Sequence, residues 1–203
     1  MDLPGPQKEF NSQTFKKLLH KGGQFNQIEY DTCTFTKCVF SEAVFLDCIF
    51  RNCVFKDCEM NLVKIAGCSF LDTHFENSQL AGVNWTETSL AEDKFIFAKP
   101  INFVGCNLNH SIFMWLNLKD ILLTKCSARE ADFSEADMTN ADCTFTDFAN
   151  SRFWNTNLTG ANFIGAANYS IAANLNTLKK TKFSLPEAMS LLYSLDIILN
   201  EES

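Results

Sequence analysis

The chain has 203 residues, with 17 basic and 24 acidic side chains and a net charge of −7. That length is typical of a single domain and is sufficient to bury a hydrophobic core. The acidic balance argues against direct nucleic-acid binding, which depends on Lys and Arg neutralising phosphates. The sequence contains no run of 18 apolar residues, so we expect no membrane span. The first ten residues show no secretory signal. The number of cysteines, nine, is odd. We therefore expect a cytoplasmic protein with reduced thiols and no membrane partner.

The phenylalanines repeat with a period of five. They fall on multiples of five from Phe10 to Phe95, and after a slip of three residues they resume the same spacing from Phe103 to Phe183. Only Phe97 and Phe145, of 20 phenylalanines, lie outside these two registers. A period of five fits neither a helix nor a strand. It predicts a coil that turns a corner every five residues, so that four units close a square and successive coils stack at a spacing of ~4.8 Å.

A second inward position lies two residues before each of these central positions and holds a small side chain. Eight of the nine cysteines occupy it, in pairs separated by 20 residues: Cys33 with Cys53, Cys38 with Cys58, Cys48 with Cys68, and Cys106 with Cys126. Stacked parallel side chains keep the full coil spacing, whereas a disulfide needs Cβ atoms about 3.8 Å apart, so we expect free thiols. A zinc or redox site is the functional interpretation. The absence of any Cys-x-x-Cys pair favours cysteine as a small core residue.

The chain divides into three segments. Residues 1–22 fit the repeat poorly, because His20 occupies a central position and Gly22-Gly23 follow, so we expect an N-terminal cap and an irregular first coil. Residues 23–183 are the β-helix, interrupted near 91–102. Residues 184–203 are a C-terminal capping and dimerisation helix with a tail. Ser184 and Glu187 form a capping box there, with Pro186 in the first turn.

The interrupting segment has the sequence AEDKFIFAKPIN and carries several charges around Pro100. Loops on rigid scaffolds often contact partners, which makes this loop a candidate binding site. The alternative is a bulge that only corrects the phase. The candidate contact residues are Glu92, Asp93, Lys94, Phe97 and Lys99.

Carboxylates ring one coil of the second half. Asp precedes the central residue on four successive faces, and two glutamates add to the ring; the acidic coil comprises Glu130, Asp132, Glu135, Asp137, Asp142 and Asp147. One interpretation is a solvated surface that is partly paired, for example by Arg152 stacked on Asp132. The other is an electronegative rod that fits a cationic DNA-binding groove.

The chain lacks the sequence features of an enzyme or a cofactor site. It contains no Gly-rich phosphate loop, His-Glu-x-x-His motif or nucleophile elbow. We therefore expect no catalytic residues, no cofactor and no metal. Exposed aromatic side chains often mark contact sites, and the large side chains predicted to face outward make a generic protein-interaction scaffold the alternative function: Met114, Trp115, Phe145 and Trp154.

The repeat resembles that of the pentapeptide-repeat family, as in AREADFSEADMTNADCTFTDF at 128–148 and SRFWNTNLTGANF at 151–163. The resemblance implies an all-β fold, a right-handed quadrilateral parallel β-helix over about 8–183 with a short C-terminal helix. More narrowly, LAGVNW at 80–85, CNLNHSIF at 106–113 and residues 168–197 resemble the AlbG-type albicidin-resistance and Qnr-type quinolone-resistance proteins.

That narrower resemblance implies a function. Such proteins bind bacterial type II topoisomerases, chiefly DNA gyrase with topoisomerase IV as a second candidate, as acidic DNA mimics, and protect them from albicidin- or quinolone-type inhibitors. They act in immunity or resistance. The resemblance also implies a homodimer joined through the C-terminal end, with an interface comprising Leu191, Leu192, Tyr193, Leu195, Ile197 and Ile198.

Overall fold

A computed structural model describes residues 8–89, 101–195 and 197. The chain forms a right-handed quadrilateral solenoid of about eight coils with one short C-terminal helix, which confirms the predicted fold. Strands of successive coils pair in parallel 20 residues apart, as Phe10 pairs with Tyr30 and Tyr30 with Phe50. The strands are β1 (Glu9–Asn11), β2 (Thr14–Lys16), β3 (Gln24–Asn26), β4 (Glu29–Asp31), β5 (Thr34–Thr36), β6 (Val44–Leu46), β7 (Ile49–Arg51), β8 (Val54–Lys56), β9 (Ser69–Leu71), β10 (His74–Glu76), β11 (Asn102–Val104), β12 (Leu123–Thr124), β13 (Asn162–Phe163) and β14 (Lys182–Phe183).

The corners of the square have a fixed backbone conformation. The residue two places after a central residue, here called the corner position, adopts a positive φ in most repeats, as in Asp120 and Asn140 (58° each) and Gly160 (72°) in one column. Short polar residues and glycine tolerate this left-handed region best. Glycine is needed at position 160 because a Cβ there would lie 2.5 Å from Oδ1 of Asn140 in the coil before it.

The central residues stack into ladders along the axis. Ring centroids are 4.9 Å apart between Phe15 and Phe35, 4.5 Å between Phe35 and Phe55, and 4.8 Å between Phe55 and Phe75, with the rings nearly parallel. Neighbouring ladders meet edge to face, as Phe50 and Phe55 do at 5.4 Å. The backbone spacing of a parallel sheet therefore matches the stacking distance of aromatic rings, and both geometries are favourable for aromatic pairs.

The second inward position has a polar role in addition to its small size. The Cys53 thiol and the Thr73 hydroxyl each donate to the carbonyl oxygen of the central residue 23 positions earlier, at 3.4 Å and 3.2 Å. Ser78 does the same at 3.2 Å. Cysteine, serine and threonine are therefore equivalent donors in a narrow space. All nine cysteines are buried and free, which confirms the expected thiols.

The predicted interruption of the repeat is visible in the strand register. Phe75 of β10 pairs with Phe103 of β11, a separation of 28 residues, and Phe103 then pairs with Leu123 at the usual 20. The coil thus contains eight extra residues, one repeat unit plus the slip of three seen in the sequence. Asn102 belongs to β11, so the regular coil has resumed by the end of the expected interruption near 91–102. Residues 90–100 lie outside the described residues.

The first coil is regular, so the expectation of an irregular coil within 1–22 is wrong for residues 8–22. β1 and β2 pair with β4 and β5 in the 20-residue register. The His20 ring stacks on Phe40 with 8° between the planes, so an imidazole replaces a phenyl ring in the ladder. Leu18 fills the second inward position, and Leu19 faces solvent. Residues 1–7 lie outside the described residues.

The C-terminal helix is a 3-10 helix over Glu187–Leu195. The predicted capping box is wrong, because the Ser184 hydroxyl instead accepts a hydrogen bond from the N–H of Gly165, at 3.0 Å. Ser184 therefore ties the helix to the preceding coil rather than capping its first turn. Leu191 packs against the buried core, as expected of a cap on the last coil.

The second inward position generates a stability prediction. We expect Cys53→Ser to change the free energy of unfolding by less than about 1 kcal/mol, because serine keeps the donor and fits the space. Cys53→Leu should destabilise the fold by about 1–3 kcal/mol through overpacking. Urea unfolding of the purified variants measures both changes, and equal stability of the two variants would show that this position is not limited by space.

Candidate partner-binding surface

The aspartates of the acidic coil stabilise the corners that they precede. Each accepts a hydrogen bond from the backbone N–H two residues further on, with distances of 2.9–3.1 Å for Asp132, Asp137, Asp142 and Asp147. Such Asx turns are a common role for aspartate next to a corner. One oxygen of each carboxylate therefore accepts a backbone hydrogen bond, and the other is available to a cation or to solvent.

Three of the four aspartates form ion pairs. Asp132 lies 3.6 Å from Arg152, Asp137 lies 3.2 Å from Lys119, and Asp147 lies 2.6 Å from Arg129. These distances confirm the stacking of Arg152 on Asp132 and show a ring of carboxylates that is largely paired. Because the pairs are partly exposed, each contributes little to stability.

The remaining carboxylates carry the negative potential of this coil. Glu130 lies 3.3 Å from Nδ1 of His110, and both side chains are exposed. Asp142 and Glu135 have no cationic partner among the described residues, and Glu135 is exposed. The surface available to a cationic partner is therefore narrower than the six acidic residues of the sequence suggest.

Two aspartates have lowered pKa values. Burial alone would raise the pKa of Asp137, but hydrogen bonds from the hydroxyl and N–H of Thr139, together with the Lys119 ammonium, outweigh it. For Asp147, burial is likewise outweighed, by the Asn168 amide, the Arg129 guanidinium and the N–H of Ala149, so its pKa also lies below the usual value. Both carboxylates are therefore ionised at neutral pH as part of the fold.

The outward-facing large side chains divide between two opposite edges of the square. Met114, Trp115 and Trp154 lie along one edge, since the N–H of Trp115 bonds to the next coil at Ser134, and Glu135 in turn bonds to the carbonyl of Trp154. Phe145 occupies a corner two faces away, where its N–H bonds to Ile164. The sequence indicated these residues one by one, but only the register shows that Glu135 lies between the two tryptophans.

The predicted dimer residues differ in their exposure. Leu191 and Leu192 are half-buried, and Leu191 packs on the core. Tyr193, Leu195 and Ile197 are exposed, with 77%, 44% and 51% of their surfaces accessible. Three apolar side chains near the C-terminal end are therefore exposed among the described residues. Ile198 lies outside the described residues, as do the predicted loop contacts Glu92, Asp93, Lys94, Phe97 and Lys99.

The described residues offer no metal site. No group of three or more His, Cys, Asp or Glu side chains in the described ranges is arranged to hold a metal ion. Burial raises the pKa of Cys53 to about 12 and also raises the pKa of Cys143, which keeps both thiols protonated. No helix within residues 8–89, 101–195 and 197 is long and apolar enough to cross a membrane.

These features define a class of protein: a four-sided solenoid with a filled core. Its charged and exposed aromatic side chains lie on the outer faces. Family models describe both halves of the chain, a pentapeptide repeat region over residues 28–99 and pentapeptide repeats over residues 101–139, 117–155 and 139–167. The chain belongs to the pentapeptide-repeat family.

Solved structures support the same fold over more than nine-tenths of the chain. A trypsin-treated variant of QnrB1, described as a plasmid-mediated fluoroquinolone resistance protein, superposes with a TM-score of 0.66 at 16% identity, covering 92% of this chain and all of that chain. A second trypsin-treated variant of QnrB1 gives a TM-score of 0.52 at 17% identity, covering 98% and 94% of the two chains. At these identities the likeness establishes the fold. No curated protein matches the chain significantly.

The lowered pKa values predict a loss of stability in acid. A carboxylate whose pKa is lower in the folded than in the unfolded state stabilises the fold above the unfolded value, near 4, and loses that contribution as the pH falls through the folded value. We therefore expect the wild-type protein to lose more stability than Asp147→Asn between pH 5 and pH 2, as measured by urea midpoints. Asp57→Asn, at a site without an ion pair in the described part of the chain, is the control and should follow the wild type.

Proposed function

We propose that this protein binds a bacterial type II topoisomerase, DNA gyrase first and topoisomerase IV second, and protects it from an albicidin- or quinolone-type inhibitor. The observation that carries the proposal is the match in fold to QnrB1 over the length of both chains, since QnrB1 is described as a fluoroquinolone resistance protein. The resemblance of residues 80–85, 106–113 and 168–197 to topoisomerase-protecting proteins supports the choice of partner. The role would be immunity or resistance in the cytoplasm.

The shape and charge of the solenoid are compatible with a groove that holds DNA. About eight coils give a rod roughly 40 Å long at the spacing of parallel strands. The net charge is −7. A negatively charged rod is attracted to a cationic groove, and long-range attraction raises the rate of encounter. In this mechanism the rod competes with DNA or contacts the cleavage complex, and neither partner is changed covalently.

The exposed apolar side chains near the C-terminal end support a homodimer. Tyr193, Leu195 and Ile197 are exposed on the cap of the last coil, next to residues that pack inward. Exposed apolar groups at the open end of a solenoid favour association, because a polar cap is otherwise needed there. Two rods joined at this end would double the length available to a groove.

A generic interaction scaffold is the second candidate function. The observation that favours it is the exposure of Trp115 and Trp154, 55% each, on one edge. Exposed tryptophans are frequent anchors of protein interfaces. This edge does not coincide with the C-terminal end, so a partner bound here would use a separate surface.

A supercoiling assay tests the topoisomerase proposal. Purified protein, titrated into DNA gyrase with albicidin and then with a quinolone, should restore supercoiling at near-equal molar ratios because it displaces the inhibitor from the enzyme. Replacing residues 92–99 by a short Gly-Ser linker should abolish the rescue if the loop contacts the enzyme. Phe145→Ala, a surface change elsewhere, is the matched control and should rescue normally. Absence of rescue at high protein with either drug would reject the proposal.

Dimerisation is tested by sedimentation. The double variant Tyr193→Asp, Leu195→Asp should sediment as a monomer at concentrations where the wild type is dimeric, because it places two charges in the apolar surface. Leu19→Asp is the control, since Leu19 is as exposed as Tyr193, at 77%, but lies in the first coil. A wild-type protein that is monomeric throughout would exclude the dimer.

A further inference from the structure

The edge that carries the two exposed tryptophans has a defined composition. The tryptophan edge comprises Met114, Trp115, Ser134, Glu135 and Trp154, and three successive coils contribute to it. Hydrogen bonds at 2.9 Å from the N–H of Trp115 to the carbonyl of Ser134, and at 2.7 Å from the N–H of Glu135 to the carbonyl of Trp154, hold these coils together. The backbones that carry the two indoles are therefore about 10 Å apart along the axis, two coil spacings.

The fold does not require a tryptophan at this corner. Trp115 has a φ of 50°, in the left-handed region that bulky residues avoid. Phe145 occupies an equivalent corner with a φ of 57°, but its ring lies against Gly165, where a Cβ would come within 2.6 Å of it. Phe145 thus has a packing role within the chain. Trp115 and Trp154 have no aromatic partner among the described residues, and each is 55% exposed.

A carboxylate without a partner lies between the tryptophans. Glu135 occupies the corner position one coil after Trp115, it is exposed, and no ion pair within the described ranges involves it. Arg152, a cation on the same face as Trp154, lies 3.6 Å from Asp132 instead. The edge therefore presents a free negative charge flanked by two indole rings.

A buried hydroxyl on the same edge also lacks a partner. Ser134 is 4% exposed although it points outward, whereas Thr139 and Thr144 at the same position of the next two repeats are half-buried. Met114 and Trp154 precede and follow Ser134 in its column, 20 residues away on either side. Its Oγ makes no hydrogen bond. A buried unpaired hydroxyl is costly, so the chain by itself bears a cost at this edge.

We propose that the tryptophan edge docks an arginine-bearing segment of a partner protein. The guanidinium is planar, stacks on indole faces and donates two parallel hydrogen bonds to a carboxylate. Trp115 and Trp154 supply the indole faces, and Glu135 supplies the carboxylate. A lysine ammonium shares the charge but lacks the flat face and the forked donors, so this edge should prefer arginine over lysine.

Charge complementarity sets the class of partner. The chain has a net charge of −7, so a cationic segment is attracted before it reaches the edge. An acidic or purely apolar segment would leave Glu135 unpaired or buried without a counter-charge. The proposal does not rest on the topoisomerase function, because it concerns the binding of arginine at a single edge.

The test is a titration of the full chain with an acetylated triarginine amide, followed by the indole N–H signals in a two-dimensional NMR spectrum. The three tryptophans give three signals. Those of Trp115 and Trp154 should shift on binding, and that of the buried Trp85 should not. Trilysine amide should bind at least about three-fold more weakly, since it cannot stack in the same way.

Variants separate this edge from general attraction between opposite charges. Trp115→Ala, Trp154→Ala and Glu135→Gln should each weaken triarginine binding by about two- to five-fold, the range of one exposed cation–π contact or surface ion pair. Glu130→Gln removes the same charge from an exposed corner position on another edge and should leave binding unchanged, as should Phe145→Ala. Equal losses for Glu130→Gln and Glu135→Gln, or equal affinity for triarginine and trilysine, would overturn the proposal.

Discussion

The spacing between coils is the constraint on which the rest of this structure depends. Backbone hydrogen bonds between parallel strands fix the rise per coil, and every buried column must then repeat with side chains that fit that rise. Stacked phenyl rings meet this requirement, as the 4.5 Å separation of Phe35 and Phe55 shows. The second inward position meets it with a small side chain that donates to a carbonyl of the coil before it. The interior is thereby filled at high density along the whole axis.

The same constraint determines where the chain can vary. The eight extra residues between β10 and β11 leave the interior unchanged, because Phe75 still stacks on Phe103, at 5.4 Å. Side chains at the outward and corner positions contact solvent and are free to serve a partner. Function in such a solenoid is therefore a property of its edges, faces and ends. Here the acidic coil and the tryptophan edge share Glu135, and the C-terminal end is a further surface.

The acidic coil illustrates how one residue can have two roles. Asp137 accepts hydrogen bonds from Thr139 and lies 3.2 Å from Lys119, so its charge is part of the corner and of an ion pair. Only the carboxylates that lack such partners are available to a groove in another protein. Glu135 is one of them, and it belongs both to the acidic coil and to the tryptophan edge. A cationic partner that approaches the acidic coil would therefore meet a surface that combines charge with aromatic faces.

The sequence alone indicated a square coil, because a period of five fits neither a helix nor a strand, and its resemblance to the pentapeptide-repeat family implied the right-handed β-helix. It identified the central phenylalanines, the buried free cysteines and the existence of the interruption. It misjudged the first coil, where the imidazole of His20 stacks as a phenyl ring would, and the role of Ser184, whose hydroxyl bonds to Gly165. The sequence around His20 or Ser184 does not indicate either contact, because each contact joins residues about 20 positions apart. The tertiary structure alone decided which carboxylates are paired and that Trp115, Glu135 and Trp154 share an edge, since both depend on the register between coils.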